Sequence, residues 1–293
     1  MKEGVPSATA RLIAAATVMA ATEPGLRDLA PARAVDWSQR FLSVRPQDRR
    51  LLWSVRSRAC RWAWRLAERA TLPGLARHWL VRKAWIEREW RGAAQRGFSQ
   101  LIVLGAGLDT LGVRVAEETP GMRVIELDHP ATQGLKRAAL AGASPVMLLP
   151  CQIGAQRVSD VLATTRAADG FDPARATMIV CEGVLMYLSD AEVEALVADV
   201  AGLPVARLKV VFTAMDKGGG RARFAEQRGV VNWWLRRRGE PFRSGSTPEL
   251  MCSLLGRHGF RGAECKDIAA ADPGGWSGHV LRGELLALGE RGG

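Results

Sequence analysis

The stretch Leu101–Thr110, LIVLGAGLDT, limits the possible folds more than any other part of the sequence. Its apolar start reads as a buried strand, and Gly105 and Gly107 end that strand in a tight turn. Glycine tolerates dihedrals that a side chain resists, so the backbone of such a turn can approach a ligand closely. A helix predicted over 109–118 aims its N-terminus at the same spot. The usual dinucleotide fingerprint carries a third glycine, and here Thr110 occupies that place beside Asp109. The next strand ends VIELDHP, which puts Asp128 about 20 positions past Gly107. A carboxylate at that distance suits the hydroxyls of a ribose.

The rest of the pattern agrees with a nucleoside-binding α/β fold. Strand-like runs occur at 101–104, 123–127, 146–149, 177–181 and 207–213, with helical stretches at 109–118, 130–141, 156–167 and 189–201 between them. A last helix is predicted over 248–258, and strands at 263–268 and 279–288 could close the sheet as an antiparallel pair. These elements predict a doubly wound, mostly parallel seven-stranded sheet with helices on both faces. Residues 1–97 read instead as a helical cap, rich in tryptophan, ahead of a core over 98–293. Two long helices, 49–70 and 75–96, are expected there, broken at Pro73-Gly74. The tryptophans could be simple packing or the wall of a substrate pocket. An arginine-rich helical insertion is expected near 219–239.

Two cofactors fit the turn. A dinucleotide needs an uncluttered helix N-terminus for its pyrophosphate, and Asp109 competes with phosphate for that positive potential. S-adenosylmethionine has no phosphate and carries an ammonium and a sulfonium, so it tolerates an acid there. The missing glycine favours the methyl donor.

Composition removes other classes. With 47% hydrophobic residues the 293-residue chain can bury a large core. The net charge of +11 is mostly arginine, spread along the chain rather than patterned as a nucleic-acid footprint, so no nucleic-acid partner is expected. The five cysteines form no C-x-x-C pair and histidine is scarce, which argues against a metal site and fits a reducing cytoplasm. No apolar run reaches the ~18 residues of a membrane span. The segment 11–21 resembles a short signal-peptide core, but Ser7 or Thr9 can cap a helix beginning there.

Together, LGAGLDTLGVRV, ELDHPAT and CEGVLMYL resemble the leucine carboxyl methyltransferase family, a branch of the class I S-adenosylmethionine-dependent methyltransferases. The likeness is strongest to bacterial members associated with secondary metabolism and polyketide O-methylation. HWLVRKAWIEREW and PSATARLIAAA resemble that family's upstream helices, and the likeness covers roughly residues 5–215 well. The resemblance implies S-adenosyl-L-methionine as cofactor. It implies that Arg82 grips the methionine carboxylate, that Gly105, Ala106, Gly107 and Asp109 form the turn beside the methionine, and that Asp128 and His129 lie at the ribose. It further implies Gln152 and Ile153 at the adenine, and Glu182 at the cofactor's amino-acid end. Three positions depart from the family pattern. Gln152 stands where an aspartate is common, Ala84 where many relatives have a second basic residue, and Leu111 where many have arginine. A glutamine carbonyl can still accept from an adenine amino group.

The implied activity is O-methyl transfer to a carboxylate or hydroxyl of a small-molecule or carrier-linked metabolite. Tyr187, the only tyrosine, could orient that acceptor. The competing readings are an NAD(P)-dependent oxidoreductase and a catalytically silent, methyltransferase-like binding protein.

Overall fold

The computed structural model describes residues 6–142, 145–165, 170–270 and 279–292. Its strands are β1 (Gln100–Leu104), β2 (Arg123–Asp128), β3 (Met147–Pro150), β4 (Thr177–Cys181), β5 (Leu208–Met215), β6 (Arg261–Asp267) and β7 (Glu284–Arg291). They form one seven-stranded sheet in the order β3-β2-β1-β4-β5-β7-β6. The first five are mutually parallel, whereas β7 runs antiparallel to both β5 and β6. Every residue of β1, β4 and β5 is buried, as a parallel sheet covered on both faces requires.

Strand alternation sends neighbouring residues into two different cores. Leu101, Val103, Val124, Met178 and Val180 meet helices α1 (Ala8–Ala20), α2 (Ala32–Ser43), α5 (Leu75–Gln95), α6 (Leu111–Glu118) and α7 (Pro130–Leu140). Ile102, Leu104, Ile125, Ile179 and Phe212 meet α8 (Val158–Ala163), α9 (Asp190–Ala201) and α11 (Pro248–Arg257) on the other side. Local signals set the helix starts. Ser7 accepts from Ala10 N at the head of α1, and Ser189 with Glu192 forms a capping box on α9. His129 caps α7, accepting from Ala131 N ahead of Pro130.

Several boundaries differ from the sequence expectation. The helix expected over 49–70 is two helices, α3 (Pro46–Arg56) and α4 (Arg58–Thr71), separated where Ser57 takes an extended ψ of 127°. The insertion near 219–239 is helical only over α10 (Gly229–Arg238). The strand expected at 279–288 begins instead at Glu284 and runs to Arg291. The helix expected over 156–167 runs over Val158–Ala163, and residues 166–167 lie outside the described residues. The tryptophans divide. Trp37, Trp85 and Trp90 are buried in the core, while Trp53, Trp62 and Trp233 are exposed.

Candidate functional site

The parallel strands β1 to β4 end at one edge of the sheet, and the segments leaving them surround a cavity of about 290 Å³. All eleven residues singled out in the sequence line it: Arg82, Gly105, Ala106, Gly107, Asp109, Asp128, His129, Gln152, Ile153, Glu182 and Tyr187.

The turn after β1 is held from below. Gly105 has φ +66° and Gly107 has φ +51°. A Cβ on Gly105 would sit 2.2 Å from Val184 Cγ2, so the close approach of the β1 and β4 loops needs glycine there. Asp128 fixes the turn with both carboxylate oxygens. Oδ2 accepts from Gly107 N at 2.8 Å and Oδ1 from His129 N at 2.7 Å. Burial raises the Asp128 pKa, partly offset by those two N–H groups. Asp109 accepts from Thr110 N at 2.7 Å, so it supplies the cap that the head of α6 lacks from Thr110.

The charges nearby are arranged as an alternating chain. Arg82, 3% exposed, donates from Nε and Nη2 to Glu182 at 2.9 and 2.7 Å, and from Nη1 to both oxygens of Glu284 at 2.8 Å. Lys83 donates to Asp109 at 2.8 Å and lies 3.1 Å from Glu182. Nε2 of the buried His78 lies 2.7 Å from Glu284. Burial would raise the Glu284 pKa, but Arg82 and His78 outweigh it and hold it at about 2. Burial likewise acts against Asp109, and Lys83 with Lys136 holds that carboxyl at about 2. Two cations thus face the three carboxylates Asp109, Glu182 and Glu284, and Asp128 adds a fourth acid across the cavity. The site is net negative, with its guanidinium engaged on both edges.

Sequence reasoning missed Lys83 as a site residue, together with His78 and Glu284. Lys83 is the next residue after Arg82 in α5 and could have been found from that position. Glu284 could not, because it pairs with Arg82 from 202 positions away.

A second cavity, also of about 290 Å³, opens beside the first and is lined mostly by apolar and aromatic side chains. Leu12, Leu72, Trp79, Phe224, Trp234 and Phe242 are among its walls, contributed by the N-terminal helices and the region around α10. Thr9, Ile13, Arg82, Gly183 and Tyr187 line both cavities and mark their junction. Burial pushes the Tyr187 phenol well above its ordinary range, with nearby Glu240 adding to the effect, so it stays protonated at neutral pH. Cys151, also on the first cavity, is pushed up to about 11 by burial and so remains a thiol. All five cysteines are unpaired. Among the described residues no His, Cys, Asp and Glu group could hold a metal ion, and no helix is long and apolar enough to cross a membrane.

A seven-stranded sheet of this order, with an antiparallel β7 and a ligand-sized cavity at the carboxyl edge, is the class I methyltransferase fold. The chain belongs to the leucine carboxyl methyltransferase family, whose family model matches residues 8–201. A relative from Parafrankia sp. (strain EAN1pec), provisionally named an S-adenosyl-L-methionine-dependent methyltransferase, is 28% identical over 65% of this chain and 60% of its own length. A similarly named protein of Mycobacterium sp. (strain KMS) is 34% identical over 43% of this chain and 42% of its own. The matched region thus spans 60% and 42% of those two curated relatives. Among solved structures, a DUF574 family protein from Streptomyces avermitilis aligns with a TM-score of 0.59 at 17% identity, covering 80% of this chain and 91% of that one. A provisionally named methyltransferase from Thermobifida fusca YX aligns with a TM-score of 0.58 at 21% identity, covering 81% and 90%.

Proposed function

We propose that the protein is an S-adenosyl-L-methionine-dependent O-methyltransferase acting on a carboxylate or hydroxyl oxygen of a small-molecule or carrier-linked metabolite. The observation that carries this reading is the charge of the first cavity. Its three lining cations, Arg82, Lys83 and Arg243, are outnumbered by the four carboxylates Asp109, Asp128, Glu182 and Glu192. A net-cationic ligand without phosphate suits such a site, and a pyrophosphate does not. When bound, the cofactor supplies an activated methyl group on a good leaving group.

The protein's part is binding, orientation and exclusion of water. Asp128 keeps acceptor capacity for ribose hydroxyls beyond the two N–H groups it already takes. Gln152, exposed at the mouth, and Ile153 flank the adenine end, with His129 shaping the turn beside them. Glu182 turns its carboxylate to the ammonium, and Arg82 with Lys83 takes the methionine carboxylate in exchange. Ala84, where relatives have a second base, makes Lys83 the second cation of that grip. Tyr187 at the junction of the cavities orients the acceptor, and the N-terminal helices with α10 cover it. A reducing cytoplasm and a role in secondary metabolism fit the unpaired cysteines and the bacterial family likeness.

Titration calorimetry with S-adenosylhomocysteine, S-adenosylmethionine and NAD tests the assignment. Heat is expected from the first two alone, and NAD binding without either would overturn it.

A further inference from the structure

Helix α10 carries apolar side chains on both its inner and its outer side. The inner side is occupied: Leu235 is buried, and Val231, Trp234 and Leu235 line the apolar cavity. The end of the helix is pinned, because Glu240 just beyond it, 4% exposed, accepts from Ala8 N at 2.9 Å and from Thr9 Oγ1 at 2.6 Å. The helix is therefore not free to roll its outer side inward. Val230 and Trp233 lie on that outer side, 51% and 59% exposed. Both also line the apolar cavity, which puts them at its rim. A helix that is apolar on more than one side belongs inside a protein or against another apolar phase.

The charge around this helix is one-sided. Residues 221–238 hold Arg221, Arg223, Arg228, Arg236, Arg237 and Arg238, all exposed, and a single acid, Glu226. Glu226 lies 3.7 Å from His279 Nε2, and among the described residues none of these arginines is paired with a carboxylate. The Arg237 guanidinium lies 5.7 Å from the centre of the Trp233 ring, and that of Arg238 5.6 Å from Trp234. Uncommitted guanidiniums beside exposed apolar side chains are the two halves of an interfacial surface, one for anionic headgroups and one for the acyl boundary. Tryptophan, apolar in body and polar at its N–H, favours that zone. A nucleic acid would use the arginines and leave Val230 bare. A second copy of this chain would set like charges against them.

We propose that α10 and its flanking arginines form a docking surface for an anionic lipid bilayer, on which the mouth of the apolar cavity faces the membrane. Val230 and Trp233 enter the headgroup boundary, and the arginines meet the phosphates and carboxylates of the lipids around them. An apolar acceptor dissolved in the bilayer then reaches the cavity without crossing water. The docking surface stands on α10 whatever chemistry the cavity serves, and only the route for the acceptor rests on the methyltransferase reading.

The test is co-sedimentation of the full chain with vesicles of phosphatidylcholine, alone or mixed equally with phosphatidylserine. The mixed vesicles should be bound at least about a hundredfold more tightly. Arg236→Ser, Arg237→Ser and Arg238→Ser together should weaken that binding on the order of a hundredfold, about fivefold for each charge, whereas changing the same three residues to lysine should leave it nearly intact. The affinity of both triple variants for S-adenosylhomocysteine should equal that of the wild type. Trp233→Phe should keep the vesicle binding but reduce the quenching of tryptophan fluorescence by bromine-labelled acyl chains, and Trp233→Ser should weaken the binding about tenfold. Failure to sediment with mixed vesicles, equal binding to both compositions, or indifference to the serine triple variant overturns the inference. So does tighter binding to duplex DNA or RNA than to the mixed vesicles, or a Trp233-dependent dimer that leaves the vesicles unbound. A chain that binds vesicles but not S-adenosylhomocysteine keeps the docking surface and overturns the methyltransferase reading. One that binds S-adenosylhomocysteine but not vesicles overturns the docking surface alone.

Discussion

Replacing Glu284 by glutamine removes the charge that holds Arg82 from the β7 side. Glu284 is fully buried and takes two bonds from Arg82 and one contact from His78. Its pKa falls from the ordinary 4.5 to about 2. At about 1.4 kcal/mol per pH unit, that depression is worth about 3 kcal/mol of stability at neutral pH. The sign follows from the direction. The folded state binds this proton less avidly than the unfolded chain, so the stabilisation is present above pH 4.5 and is lost as pH falls through about 2. Urea denaturation of the wild type and Glu284→Gln should therefore differ by about 3 kcal/mol at pH 7 and by about 1 kcal/mol near pH 2.5. A gap that stays constant across that range would refute the reasoning, because the loss would then come from packing and not from charge.

Three further outcomes are expected. Gly105→Ala combines a clash of 2.2 Å with Val184 and a φ of +66°, and should weaken S-adenosylhomocysteine binding more than about tenfold in calorimetry. Asp128→Asn can accept from only one of Gly107 N and His129 N with its single carbonyl oxygen. It should lower stability by about 1–3 kcal/mol in chemical denaturation and weaken S-adenosylhomocysteine binding in parallel. Ser189→Ala removes the capping box of α9, should cost about 1 kcal/mol, and should leave the calorimetric affinity for S-adenosylhomocysteine unchanged.

What the sequence revealed depended on the range of the interaction. The parallel part of the sheet was legible because β1 to β5 are short, largely apolar runs, with Gly105 and Glu182 directly after β1 and β4 and Asp128 ending β2. The break at Ser57 was not. Neither proline nor glycine marks it, and the helical pattern of polar and apolar residues continues across it. Nor was the strand position of β7. It is inserted between β5 and β6, so its register is set by tertiary pairing rather than by its own residues. The Thr9–Glu240 contact joins positions 231 apart, and no local signal in either segment announces it.

The insertion of β7 also bears on the order in which the molecule is made. Arg82 is placed early in the chain, yet its partner Glu284 opens a strand that can pair only after β5 and β6 exist. Closing such a long loop is entropically slow, and domains emerge from the ribosome N-terminal end first. Arg82 and His78 must therefore wait for Glu284 until the roughly 200 residues between them have been made. Glu284 is the one β7 residue on the apolar cavity, so that part of its wall is completed only when β7 pairs between β5 and β6.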